Sequence, residues 1–199
     1  MARQTPAARQ SEQEARERLV EAARIAFGSN GFHGTTTRHI AAEAGMSPAA
    51  VYVHHPSKEA LLFAISREGH LASLDAVSDA AASAGAPGER VRAIVRAFVL
   101  RQAEHHDTAR IVNYELGALS PEHRAEIDVL RRKIQQTLVD AIVEGVDAGA
   151  FPAVDPSLTA TAIMGMSIDV GRWYRDEGTW TPPQVADHLA EMAVRMVRA

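Results

Sequence analysis

The chain has 199 residues and a net charge of −4, with 46% hydrophobic and 23% charged side chains, a balance ordinary for a globular protein with a substantial core. The absence of cysteine excludes disulfides and thiol-based redox sensing, and no apolar run approaches the roughly 20 residues needed to cross a bilayer. The opening stretch, MARQTPAARQSEQEARER, lacks the apolar core of a secretory signal, so a cytoplasmic location is expected. Aromatic residues are only 5%, alanine is abundant and β-branched runs are scarce, which favours an all-α fold.

Residues 1–10 read as a flexible arm whose Arg3 and Arg9 can reach a phosphate or a minor groove. Ser11 and Glu14 form a capping box opening a helix through about Phe27, with Leu19, Ala22, Ala23, Ala26 and Phe27 on its buried face. Gly28-Ser29-Asn30-Gly31 breaks that helix, and Phe32 reads as a core plug. In the following stretch, TTTRHIAAEAGMSPAAVYVHHPSK, Thr35–Thr37 supply hydroxyls to cap a short helix. Ile40, Ala41 and Ala44 give that helix a narrow apolar face, and Gly45 suits the left-handed residue that ends it. Ser47 can cap a second helix, with Pro48 at the first position, where its missing N–H costs nothing. Val51 turns back toward Ile40 and Ala41, leaving Ser47, Ala49, Tyr52, Val53 and His54 outward. Such a pair has the form of a helix-turn-helix whose second member enters the DNA major groove.

Ser57 is placed to cap a long helix starting KEALLFAI, and Gly85-Ala86-Pro87-Gly88 interrupts the chain after it. RVRAIVRAFVLRQAEHH follows, then the shorter ARIVNYELGAL. The longest pattern runs from Pro121 to Gly149 with Ile127, Leu130, Ile134, Leu138, Ala141, Ile142 and Gly145 as one stripe. Two last helices are expected in DPSLTATAIMGMSIDVGRWYR and PPQVADHLAEMAVRMV. Residues 1–60 carry seven Lys/Arg against six Glu, and residues 61–199 carry fourteen basic against nineteen acidic side chains. The asymmetry has the sign expected of a DNA-binding head, but it is small.

With RLVEAARIAFGSNGFHG before it and VYVHHPSKEALLFAI after it, the stretch resembles, over about residues 15–65, the DNA-binding domain of the TetR/AcrR family of bacterial regulators. Two positions depart from the family pattern. Val53 stands where a second aromatic is frequent, and His55 where a core phenylalanine is usual. The resemblance implies about nine helices: an arm at 1–10, a three-helix DNA-binding domain at 11–56, and an effector-binding and dimerisation domain at 57–199. It implies a homodimer on a palindromic double-stranded operator, released by a small-molecule effector, although activation of transcription is also compatible with the fold. By resemblance and geometry together, Thr36, Thr37, Tyr52, His54 and Lys58 are expected at phosphates, with a backbone amide near Ser47 and Pro48. Ser47, Ala49 and Val53 are expected at base edges, and Arg38 at a phosphate or a guanine.

Farther on, LGALSPEHRAEI and GMSIDVGRWYRDEG resemble, more loosely, repressors of lipid and steroid breakdown that sense acyl-CoA thioesters. On that reading Arg101, Arg110 and Arg172 meet phosphates, Trp173 stacks on adenine, and Phe98, Ile163, Met166 and Val170 line an acyl channel, with Asn113 and Tyr114 beside them. The alternatives are that Trp173 and Tyr174 belong to the core while the arginines pair with nearby carboxylates, or that the effector is a drug-like molecule and the target an efflux gene. Leu158, Ala162, Val185, Leu189, Met192 and Met196 are expected at the dimer interface. No P-loop, dinucleotide-binding glycine motif or G-x-S-x-G is present. His105-His106-Asp107 lacks the i, i+4 spacing of a helical metal site. Neither an enzyme, a cofactor nor a metal is expected.

Overall fold

A computed structural model describes residues 6–198, and among these the chain is helical throughout, without strands. The elements are α1 (Pro6–Gly34), α2 (Thr37–Glu43), α3 (Pro48–His54), α4 (Lys58–Ser83), α5 (Pro87–Glu104) and α6 (His106–Tyr114). A 3-10 turn (Leu116–Ala118) precedes α7 (Pro121–Asp147), α8 (Pro156–Ile168), α9 (Val170–Trp173) and α10 (Pro182–Arg198). The expectation of about nine helices holds, because α9 is a single turn that continues α8 past Asp169.

Helix α1 begins ahead of the expected capping box, so Ser11 and Glu14 lie inside it. Residues 6–10, expected in a flexible arm, are helical, while 1–5 and with them Arg3 lie outside the described residues. The reason is local. Pro6 is tolerated in a first turn, and the polar run beyond it is laced by pairs four residues apart: Gln10 with Glu14, Gln13 with Glu17 and Arg16 with Glu12. The helix extends beyond Phe27 and is broken at Gly31, whose φ of +68° disfavours any residue with a Cβ.

Two compact units are formed. The first runs to Glu68 and includes Ile111–Arg124; the second comprises Gly69–Arg110 and the chain from Ala125. The sequence places the domain boundary after residue 56, ahead of α4; the first compact unit runs on into α4. Ser57 caps this helix, accepting the Ala60 N–H at 3.0 Å, and its first turns bury Leu61, Leu62 and Ile65. Glu59 Oε1 then accepts the Ser120 N–H at 2.9 Å and contacts His123 Nδ1 at 2.7 Å. The His123 ring stacks on Phe63 with centroids 3.8 Å apart. These contacts join the start of α4 to Ser120 and the first turn of α7, in the same unit as the helix-turn-helix.

In the second unit α10 lies along α5. Ala186, Ala190 and Ala193 are fully buried, small enough to admit a close crossing. Arg92 pairs with Glu191 and Arg96 with Asp187, both at 2.6 Å, a pairing order that runs the two helices antiparallel. Hydrogen bonds from Arg92 and then Arg195 hold the Glu191 carboxyl below its usual range. Val91, Ile94, Phe98, Ile134, Leu138, Ile163 and Val170 share this unit's core. Asp155 caps α8 by accepting the Leu158 N–H at 2.9 Å.

Candidate nucleic-acid interface and effector region

The interface is built around the turn at Gly45. Thr36 caps α2 by accepting the His39 N–H at 3.2 Å, and Ile40 and Ala41 on its inner face are sealed. The Met46 N–H reaches the Ala41 carbonyl at 2.8 Å and the Gly45 N–H the Ala42 carbonyl at 3.1 Å. This closure needs a left-handed residue, and Gly45 has φ +64°. Ser47 caps α3 by accepting the Ala50 N–H at 3.2 Å, with Pro48 at the first helical position. Val51 is fully buried. Its burial fixes the rotation of α3, so that Tyr52 is 57% exposed and Val53 76% exposed. Ser47, Pro48 and Ala49 are exposed on the same helix start, as are Thr36 and Arg38 on α2. The Tyr52 hydroxyl lies 3.1 Å from Thr37 Oγ1, which ties α3 to the start of α2.

Two expected phosphate ligands are placed less freely than their neighbours. The Lys58 ammonium donates to the carbonyls of Phe32 and Thr35 at 2.6 and 2.7 Å and sits 4.2 Å from the Phe32 ring centroid. Its charge therefore holds the end of α1 to the start of α4. His54, expected to face the groove, is half-buried and its Nδ1 is enclosed without a hydrogen-bond partner. His55 is also half-buried, with Nε2 enclosed and unpartnered, which is the strain expected of an imidazole in a phenylalanine's place. Thr35 acts on the other side of the turn, donating to the Ala26 and Gly31 carbonyls at 2.9 and 2.8 Å.

Burial lowers the His55 pKa, with repulsion from Arg16 and His54 adding to it and a backbone hydrogen bond with Arg16 opposing it. The unfolded chain, with an ordinary histidine pKa of about 6.5, then binds the proton first. Stability is fully present above that pH and is lost as pH falls toward the folded-state value. His55→Phe is expected to raise Tm, and to raise it more at pH 5.5 than at pH 8. Parallel Tm-against-pH curves for the two proteins would contradict this.

One contact had no signal in the sequence. Glu115, 83 positions from Phe32, accepts the Phe32 N–H at 3.2 Å beside the kink at Gly31. A carboxylate among ordinary helix-end residues gives no hint of so distant a partner.

The expected effector residues divide between the units. Asn113 and Tyr114 belong to the first, and the other eight to the second. Phe98, Ile163 and Val170 are packed in the core, with Met166 partly buried against it. Arg172 is exposed and its Nε pairs with Asp169 at 3.0 Å, while Arg110 Nη2 is 3.9 Å from Asp107. Tyr174 is core, as one alternative held; burial, with nearby Asp176, pushes its hydroxyl pKa up. Trp173 is not core. With Trp180, Gln184, Val185, His188 and Leu189 it lines a groove of about 370 Å³. Arg101 is half-buried, with Nε enclosed and no partner for it.

Of the residues expected at a dimer interface, Leu158 is 69% and Met192 41% exposed. Ala162 is exposed, and Leu189 and Met196 are half-buried. Val185 departs from the set. It is buried in its own unit's core, whereas Met192 on the same helix is exposed. None of the described helices is long and apolar enough to cross a membrane.

Comparison with known proteins agrees with this architecture. Residues 19–65 match the model of bacterial regulatory proteins of the tetR family, and residues 84–197 that of the tetracyclin repressor-like C-terminal domain. The chain is 32% identical over 173 residues to the HTH-type transcriptional repressor KstR2 of Mycobacterium tuberculosis, covering 85% of this chain and 86% of that one. A tetR-family regulatory protein from Rhodococcus RHA1 superposes with a TM-score of 0.88 at 40% identity, over 92% of this chain and 96% of the other. AibR, solved in complex with isovaleryl coenzyme A and operator DNA, superposes with a TM-score of 0.82 at 30% identity, over 89% and 97%. A matched head, a matched C-terminal domain and a repressor alike over most of its length establish that this chain belongs to the TetR family of transcriptional regulators.

Proposed function

We propose that the protein is a cytoplasmic repressor that binds a near-palindromic operator as a homodimer and is released by an anionic, lipid-like effector, an acyl-CoA thioester first among them. The observation that carries the reading is the outward face of α3, held at a defined rotation by Gly45, Ser47 and the buried Val51. Thr36, Thr37, Arg38 and Tyr52 hold phosphates, and His54 does so through Nε2, the nitrogen opposite its enclosed Nδ1. Ser47, Ala49 and Val53 face base edges, Ala49 and Val53 by contact with thymine methyls, and the backbone at the Ser47–Pro48 start of α3 meets a phosphate. Leu158, Ala162, Leu189, Met192 and Met196 form the dimer face. The effector reading is supported by AibR, which was solved with isovaleryl coenzyme A. An effector that prefers the DNA-incompetent arrangement shifts the population away from operator spacing.

A mobility-shift titration of the DNA upstream of the gene, with and without acyl-CoA, tests both halves. Binding that acyl-CoA releases is expected; binding unaffected by any acyl-CoA would remove the thioester. In the same assay Tyr52→Phe is expected to weaken binding about fivefold, on the order of 1 kcal/mol for one hydrogen bond. The loss should be alike across operator variants, and a loss confined to one base position would contradict a phosphate-positioning role.

A further inference from the structure

We infer that Arg101 is the residue that selects a negatively charged effector, by offering its guanidinium to a carboxylate or phosphate; this rests on the effector response proposed above. Helix α5 carries arginines at positions 90, 92, 96 and 101. The first three are matched to carboxylates: Arg90 to Glu144, Arg92 to Glu191 and Arg96 to Asp187. Arg101 has no such partner among the described residues, and its Nε is enclosed without an acceptor.

The one carboxylate within a turn of it on α5, Glu104, is exposed and makes no ion pair with it. Phe98, one turn back, is buried in the core, and the Arg101 carbonyl is taken by the His105 N–H at 3.1 Å where α5 ends. Of the buried groups on α8 and α9, Ile163 and Val170 are apolar, and the Ser167 hydroxyl donates to its own helix at 2.7 Å. A guanidinium keeps its charge at any physiological pH, and an enclosed donor without an acceptor is costly. The planar fork pairs best with a carboxylate or a phosphate. A lone arginine whose neighbours on the same helix are all paired is thus a charge kept for something that comes and goes.

The test measures thermal stabilisation of the full chain and of Arg101→Met and Arg101→Lys by four probes: isovaleryl-CoA, coenzyme A, isovalerate and the uncharged isovaleramide. Anionic probes are expected to stabilise the wild type and the amide to fail, with the coenzyme A and isovalerate arms telling phosphate from carboxylate. Arg101→Met should have an unliganded Tm no lower than wild type, because it removes an unpaired donor, yet bind the anion at least tenfold more weakly. Arg101→Lys, which keeps the charge without the fork, should fall between them, and it carries the test if the methionine variant does not fold. Equal anion binding by wild type and both variants, or equal stabilisation by isovaleramide and isovaleryl-CoA, would overturn the role of Arg101 alone. A wild type unmoved by all four probes would overturn the effector reading with it.

Discussion

Val53→Glu is expected to leave the protein folded and to reduce operator binding at least a hundredfold. Val53 is the most exposed of the large apolar side chains on α3, at 76%. A change of Tm within about 2 °C is expected for such a surface site. On the proposed docking, the same change replaces contact with a thymine methyl by a desolvated negative charge facing phosphates. Loss of the apolar contact and like-charge repulsion together are expected to cost about 3 kcal/mol. A variant that keeps near wild-type affinity would mean that α3 meets DNA on another face. One that loses both affinity and Tm would mean that Val53 is packed rather than presented.

Gly145→Val is expected to destabilise the second unit by about 3 kcal/mol, a fall in Tm of roughly 6–12 °C for a chain of this size. Gly145 is buried on α7, and a Cβ there would stand 2.0 and 2.1 Å from two ring carbons of Phe151. The ring cannot simply swing away. The Ala150 and Phe151 N–H groups both donate to the Gly145 carbonyl, at 2.8 and 3.1 Å, so the turn carrying Phe151 is fastened to the residue being enlarged. Phe151→Ala in the same background should restore part of the loss, because it removes the clash while leaving a cavity. Tm values for the single and double variants decide it; a shift under 2 °C for Gly145→Val would show that the turn relaxes freely.

The reading head was largely legible in the sequence because its determinants are local. Thr36, Gly45, Ser47 and Pro48 act on backbone groups within four residues of themselves, and Ile40, Ala41 and Val51 are buried on either side of one turn. Long-range partners were not legible. Lys58 has the composition of a phosphate ligand, and only the fold shows its ammonium spent on the Phe32 and Thr35 carbonyls. The partners of Glu59 were hidden for the same reason: nothing near it announces a bond to Ser120 or His123. Helical periodicity placed Val185 in one stripe with Leu189 and Met192. Spacing alone does not say which of these the core takes, and Val185 is buried where Met192 is exposed. Helix α1 begins ahead of the Ser11–Glu14 capping box because Gln10 pairs with Glu14 four residues on and carries the helix back past it.

Hydroxyl-radical footprinting of the DNA upstream of the gene tests the central claim most directly, with wild type and Val53→Glu side by side. The account predicts two protected half-sites whose centres lie about 34–36 Å apart or slightly more, with protection absent for the variant. A single unpaired patch, or the same protection by both proteins, would contradict it.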